Sequence, residues 1–402
     1  MAAFATTLPI FDRRAKVFAY ELSFRFGFGP PFHEALRSRE GRVDLWRAMG
    51  FDEVLGMAKA LIPFPRDLVV EKVPILFPAD GLVVSLPGDV AADPELIEAC
   101  KRLKEFGYRI AMPVSRVEHL AGAFLEFGDI ARVDVAETTV EQQYAICEAL
   151  ADSDVCVLAE GVDSAEAFDT ASEAGCRYFM GEFFRRPVLQ PNREIAAGKV
   201  QHLRLLREVN KTQLAYDELE DLIKQDVSMA YRLLRFINSA WYGLKTTVES
   251  IRHALVLLGP AELRKWASML VLRELGEDKP PELFRRCLIR ARMAEALAPM
   301  LALEAQASEL FLMGMFSLVD ALTGIPMAKA LEALPLGDDV KLALLDGGGA
   351  YGVIHDAVCC FDRGLWDRFS RDVVQLPLEE RVVPDVFRES SRWADEAIGA
   401  LA

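Results

Sequence analysis

The strand signal in this chain stops half-way, and that limits what it can fold into. From Leu8 to about Pro191 short β-branched runs alternate with amphipathic stretches, and beyond Lys199 only helical periods remain. Strands are expected at 68–73, 81–86, 108–112, 131–135, 155–160 and 178–184, with a helical period over 42–61. Asp93 and Pro94 have the chemistry of an N-cap and a first helical residue, for a helix that Gly107 ends. Ser164 caps another that ends near Gly175. Strands alternating with helices at this spacing imply parallel βα units. When such units close into a barrel, charged groups gather on the C-terminal rim.

After a polar, irregular stretch around 191–199, helices are expected at 200–209, 216–237, 251–258, 260–275, 281–303, 307–322, 327–334 and 338–345. Leu219, Leu222, Ile223, Val227, Ala230, Leu233, Leu234 and Ile237 keep the spacing of one buried helical face. The chain therefore divides into an α/β barrel over 1–192, a linker over 193–199 and an all-helical domain over 200–402.

Composition narrows the functions. With 46 basic against 61 acidic residues the net charge is −15, which leaves no basic surplus for nucleic acid or an anionic membrane. No apolar run approaches the ~20 residues that span a bilayer, and the N-terminal residues lack a signal peptide's charged and apolar regions. A cytoplasmic protein is the expectation. The seven cysteines are odd in number and lack CxxC spacing, as reduced thiols do, and Cys359-Cys360 fits helix packing. No phosphate loop, nucleophile elbow or dinucleotide fingerprint stands in its required context, and Gly347-Gly348-Gly349 is a loop between helices. No cofactor is expected.

Two groups of motifs carry a resemblance. Tyr20-Glu21-Leu22-Ser23-Phe24-Arg25, Leu158-Ala159-Glu160-Gly161-Val162-Asp163 and Met180-Gly181-Glu182-Phe183-Phe184-Arg185-Arg186-Pro187 follow one another along the first half. Together they resemble the EAL family, whose fold is a TIM-like barrel and whose activity is hydrolysis of cyclic di-GMP. The half is short for that family, which implies a compact barrel lacking one or two peripheral helices. The resemblance makes Glu21 a metal-binding carboxylate and Arg25 a phosphate-binding guanidinium. It also places Pro63, Ser85, Pro113 and Val114 where the family has metal ligands, and Arg132 where it has a lysine. A two-cation site needs several oxygen ligands, so the implied reading is a degenerate barrel. In it Glu21 pairs with Arg25 or Arg132, and Glu21, Arg25, Arg132, Asp134, Glu160 and Asp163 are the remaining rim candidates for a ligand.

The run from Ile223 through Asp226, Leu234, Asn238, Ser239 and Ala240 to Gly243, then Ser250-Ile251-Arg252-His253-Ala254 and Leu257-Leu258-Gly259, resembles the HDOD domain. That domain is an all-helical relative of HD phosphohydrolases without their metal ligands. Here Ser317 and Leu318 stand at the place of the HD pair, and the one His-Asp dipeptide, His355-Asp356, lies about forty residues further on. The five histidines form no cluster of metal spacing, and His253 is expected to be packed or capping. Asn238, Ser239, Trp241, Tyr242 and His253 are the interaction candidates. The fusion resembles the YuxH-like group of bacterial signalling proteins. It implies a protein that is not an enzyme, holds no metal, and acts as a scaffold for a regulatory protein partner or as a homodimer. The alternatives are a non-hydrolysing cyclic di-GMP receptor and an active metal-dependent phosphodiesterase.

Overall fold

A turn built by Asp12 starts the first unit. Its side chain accepts the N–H groups of Arg14 and Lys16, at 2.8 and 3.0 Å, and its carbonyl accepts that of Ala15. Such an Asx turn reverses the chain, so β1 (Ala5–Asp12) lies antiparallel to β2 (Val17–Phe24). The computed structural model describes residues 5–24, 58–87, 93–120, 127–186, 200–211, 213–239, 242, 246–373, 375–379 and 382–401. They fall in two compact units, Met1–Pro187 and Val188–Ala402. The expected linker, 193–199, lies outside the described residues.

After the hairpin come β3 (Lys59–Pro63), α1 (Arg66–Val70), β4 (Leu82–Ser85), α2 (Pro94–Glu105), β5 (Arg109–Pro113), β6 (Ile130–Asp134), α3 (Val140–Leu150), β7 (Cys156–Glu160), α4 (Ala165–Ala174) and β8 (Tyr178–Met180). The strands pair in parallel from β2 to β8, and β1 closes the barrel by running antiparallel to β8. Two expectations fail here. Residues 68–73 are not a strand: Leu68 and Val69 are buried in α1, and a short 3₁₀ turn follows. Burial of that pair outweighs the β preference of valine, which is weak against packing. The helical period over 42–61 ends in a strand, since 59–61 belong to β3 and 42–57 lie outside the described residues. A run apolar on both faces suits a parallel strand buried on both sides.

Side chains alternate along each strand, so one face of the barrel can be followed by twos. Ala19, Leu61, Val83, Ala111, Ile130, Leu158 and Tyr178 share one buried cluster, the inner layer. Two residues further along these strands stand Glu21, Pro63, Ser85, Pro113, Arg132, Glu160 and Met180. This is the C-terminal rim. Below β8 the backbone of Val162 approaches so closely that a Cβ on Gly181 would sit 2.2 Å from its carbonyl oxygen, which only glycine avoids.

The second unit is helical: α5 (Val200–Val209), α6 (Tyr216–Lys224), α7 (Val227–Ile237), α8 (Ile251–Leu275), α9 (Pro281–Leu297), α10 (Ala307–Phe316), α11 (Val319–Thr323), α12 (Met327–Glu332), α13 (Asp338–Asp346), α14 (Gly349–Asp362), α15 (Trp366–Val373) and α16 (Val383–Leu401). The single helix expected over 216–237 is two, because the Asp226 carboxylate caps the second by accepting the N–H groups of Ser228 and Met229. The stretch 307–322 likewise divides, at Ser317-Leu318. Gly259, at φ 67°, with Pro260 behind it, kinks α8 where two helices were expected. Helices α14 to α16 extend the domain past the last expected one. Gly314 lets α10 cross α9 at backbone contact, since a Cβ there would lie 2.4 Å from the carbonyl oxygen of Arg290.

Candidate functional site

Four strands bring polar groups of both signs to the barrel rim. Arg132, from β6, donates from Nε to Glu160 Oε1 at 2.5 Å and from Nη2 to Glu160 Oε2 at 3.1 Å. Its Nη1 reaches the hydroxyl of Ser85 and, at 3.4 Å, the carbonyl of Leu86. Glu21 Oε1 stands 3.7 Å from Nη2. The three charged side chains are only 13–15% exposed. Such a bidentate pair is a strong form of ion pair, since two parallel hydrogen bonds fix the planar fork. Glu160 therefore holds Arg132, and Glu21 is the outer partner. Burial pushes the Glu21 carboxyl up to about 7, helped by the charge of Glu160 and opposed by Arg132.

Among the described residues the rim carboxylates are engaged with Arg132. The two carboxylates that converge here already face a guanidinium, and a cation between them would meet its charge. Among the described residues no group of three or more His, Cys, Asp or Glu could hold a metal ion. Pro63 and Pro113 end β3 and β5, and Val114 follows β5 with its N–H on the carbonyl of Arg132. Asp134 is turned to local work: its carboxylate accepts the N–H of Ala136. Asp163 accepts the N–H of Glu182 and is half exposed near Arg186. Arg25 lies outside the described residues.

In the helical unit, the side chain of Asn238 bonds like a strand of backbone. Its Nδ2 donates to the carbonyls of Leu234 and Val248, both at 2.8 Å, and its Oδ1 accepts the N–H of Val248 at 2.7 Å. Ser239 donates to the carbonyl of Phe236, and the Tyr242 hydroxyl lies 3.5 Å from Glu262. These residues tie the segment after α7 back onto its end. His253 is exposed, neither packed nor a cap; Ser250 caps α8 by accepting its N–H. Trp241 lies outside the described residues.

A second charged cluster escaped the sequence. Glu282, Arg286 and Arg290 recur at four-residue spacing on α9, which also carries Arg285, Arg292 and Glu295. Asp362, fully buried, accepts from Arg286 Nη1 at 2.9 Å and from Arg290 Nε at 2.8 Å; Glu282 accepts from Arg286 Nε at 2.6 Å. Arg290 also reaches Ser317 Oγ at 3.3 Å. His355 Nε2 lies 3.5 Å from Cys359 Sγ. Burial would raise that thiol, yet Arg290 and His355 hold it down to about 7. The four-residue spacing of Glu282, Arg286 and Arg290 was the available signal.

Comparison with known proteins bears on both units. The HDOD domain family matches residues 199–328. A Vibrio cholerae protein named cyclic di-GMP phosphodiesterase CdgJ is 28% identical over 96% of this chain and 91% of its own length. The uncharacterized protein YuxH of Bacillus subtilis is 28% identical over the full length of both. An EAL domain protein of Listeria monocytogenes aligns at TM-score 0.36 and 17% identity over 46% of this chain and 87% of its own. The Bacillus subtilis YkuI protein, whose structure holds cyclic di-GMP and calcium, aligns at 0.37 and 14% over 56% and 71%. The Vibrio protein's name corrects the expectation that this chain is not an enzyme: a relative along nearly its whole length is named for catalysis. Residues 25–57, which begin at the last residue of the Glu21 motif, lie outside the described residues. Among the described residues no helix is long and apolar enough to cross a membrane.

Proposed function

From a chain that joins an EAL-type barrel to an HDOD domain, we propose a cyclic di-GMP-linked regulatory protein whose barrel rim takes up the dinucleotide. The full-length match to a protein named cyclic di-GMP phosphodiesterase carries this reading. The rim supports it, since the C-terminal end of a barrel is where ligands bind and this one presents the polar set Glu21, Ser85, Arg132 and Glu160. Phosphate charge brought beside Glu21 raises the affinity of that carboxyl for a proton. Binding then draws in a proton and is tighter at pH 6.5 than at 8. Calorimetric titration of the full chain in buffers of different ionisation enthalpy tests this. The expected result is saturable binding with proton uptake; no heat at either pH, with or without Mn²⁺, sinks the proposal. Chromatography of the nucleotide after incubation with Mg²⁺ or Mn²⁺ then tells whether the chain shares the reaction its Vibrio relative is named for.

The helical unit supports a protein partner as a second element of the same reading. Val227 and Tyr231, four residues apart on α7, are 83% and 62% exposed, and Val256 and Leu257 are also exposed. Apolar groups at helical spacing on a surface are how a helix offers itself to a partner. A protein captured by the full chain and lost on Tyr231→Ser, with the fold intact, is the expected outcome.

A further inference from the structure

The N-terminal ends of β7 and β8 border an open pocket of about 460 Å³, lined by Arg13, Cys147, Asp154, Cys156, Gly175 and Arg177 among others. Two of the chain's thiols meet beside it. Cys147, near the end of α3, has its Sγ 3.7 Å from the Sγ of Cys176, which follows α4. The residue before Cys176 also lies against Cys147: a Cβ on Gly175 would be 3.2 Å from the Cβ of Cys147. Arg13, from the first hairpin turn, fixes the far side by donating from Nε to the Cys176 carbonyl at 2.8 Å. Nothing in the rim or in the HDOD signature uses these residues.

We propose that Cys147 and Cys176 form an oxidisable pair, closed into a disulfide when a peroxide enters this pocket. Cys147 is the attacking thiol because it lines the pocket and is 8% exposed, whereas Cys176 is 1% exposed. The hydrogen bond from Cys176 holds the Cys147 thiol below its ordinary range, against burial and with help from the Arg13 charge. In the first step the Cys147 sulfur attacks one peroxide oxygen, the O–O bond breaks, and the other oxygen leaves as water or an alcohol. In the second, Cys176 attacks the resulting sulfenic sulfur, an S–S bond forms, and the hydroxyl leaves as water with the Cys176 proton. With hydrogen peroxide, two thiols and one oxidant give one disulfide and two waters. The sulfurs must close from 3.7 Å to about 2.05 Å, a movement on the scale of a side-chain rotation. Cys156 is the competitor, held by Arg177 Nη1 at 3.4 Å.

The test is a thiol map of the full chain. The protein is treated with hydrogen peroxide, alkylated, digested without reductant and analysed by mass spectrometry. Expected is a 147–176 disulfide that dithiothreitol reverses, while the buried Cys100 and Cys287 stay reduced until the chain unfolds. Cys176→Ser should stop at a sulfenic acid on Cys147 that dimedone labels, and Cys147→Ser should leave Cys176 reduced. The proposal falls if Cys147 and Cys176 remain reduced to the same fraction as Cys100 and Cys287, or if Cys147 pairs with Cys156. The wild-type map decides the matter even where a serine variant fails to fold.

Discussion

Arg132 in the barrel and Arg290 in the helical unit do one job in two settings. Arg132 stands where the resemblance places a lysine and Arg290 reaches Ser317, which takes the place of half the HD pair, and each puts a fixed positive charge against carboxylates. At the rim, Arg132 is 14% exposed and shares its charge between Glu160 and the more distant Glu21. In the helical unit, Arg286 and Arg290 are 0% and 3% exposed, and Asp362 between them is wholly buried. The difference is access to solvent. A rim pair can exchange its partner for a ligand, because water and the ligand compensate whatever it releases. A buried network cannot, because any group left alone is desolvated without a partner.

The sharpest way to break this contrast is to remove Asp362. Asp362→Ala takes the shared carboxylate from two buried guanidinium groups, leaving Glu282 on Arg286 and Ser317 on Arg290, and such losses cost about 3–5 kcal/mol. Urea unfolding of the full chain, followed by a probe in the helical unit, should show that loss. A change below about 1 kcal/mol would mean that solvent reaches the network and that the two sites are alike. At the rim, Glu160→Gln leaves Arg132 with neutral partners only, the new amide, the Ser85 hydroxyl and the Leu86 carbonyl, and with the distant Glu21. Because this pair is slightly open, the expected cost is smaller, about 2 kcal/mol.

Much of this was legible in the sequence, and for physical reasons. The alternation of strands and helices follows from short β-branched runs with caps between them, and Asp93, Ser164 and Gly175 cap as their side chains and φ values require. The rim positions came from the resemblance, whose motifs mark strand ends, and the two-residue period of a strand is what puts such positions on one face of the barrel. What the sequence could not supply was pairing across the barrel. Nothing local distinguishes Arg132 bonded to Glu160 from Arg132 turned elsewhere. Asn238 was legible as a helix-end residue, but its bonds to Val248 depend on how the next ten residues return. The Asp362 network joins residues up to 76 apart. The thiol pair of Cys147 and Cys176 is separated by 29 residues and has no spacing signature at all.

The smallest expected effect separates the two sites most cleanly, because it is a titration. Glu21 has its carboxyl raised to about 7 in the folded chain, chiefly by burial. A carboxyl raised on folding stabilises most below its unfolded value, and that contribution is lost as pH rises towards the folded one. Between about pH 4.5 and 7 the wild type should therefore lose stability steadily relative to Glu21→Gln, which cannot ionise. Above that window the difference should stay constant. Unfolding free energies of both proteins at pH 5, 6, 7 and 8 measure it, and a flat difference would mean that the attraction of Arg132 outweighs burial and Glu21 is ionised throughout. Repeating the comparison, with and without Glu21→Gln, in a Glu160→Gln background sharpens the point. With the Glu160 charge gone, Arg132 acts on Glu21 alone, so the window should move to lower pH, a response that a network as closed as that of Asp362 cannot give without unfolding.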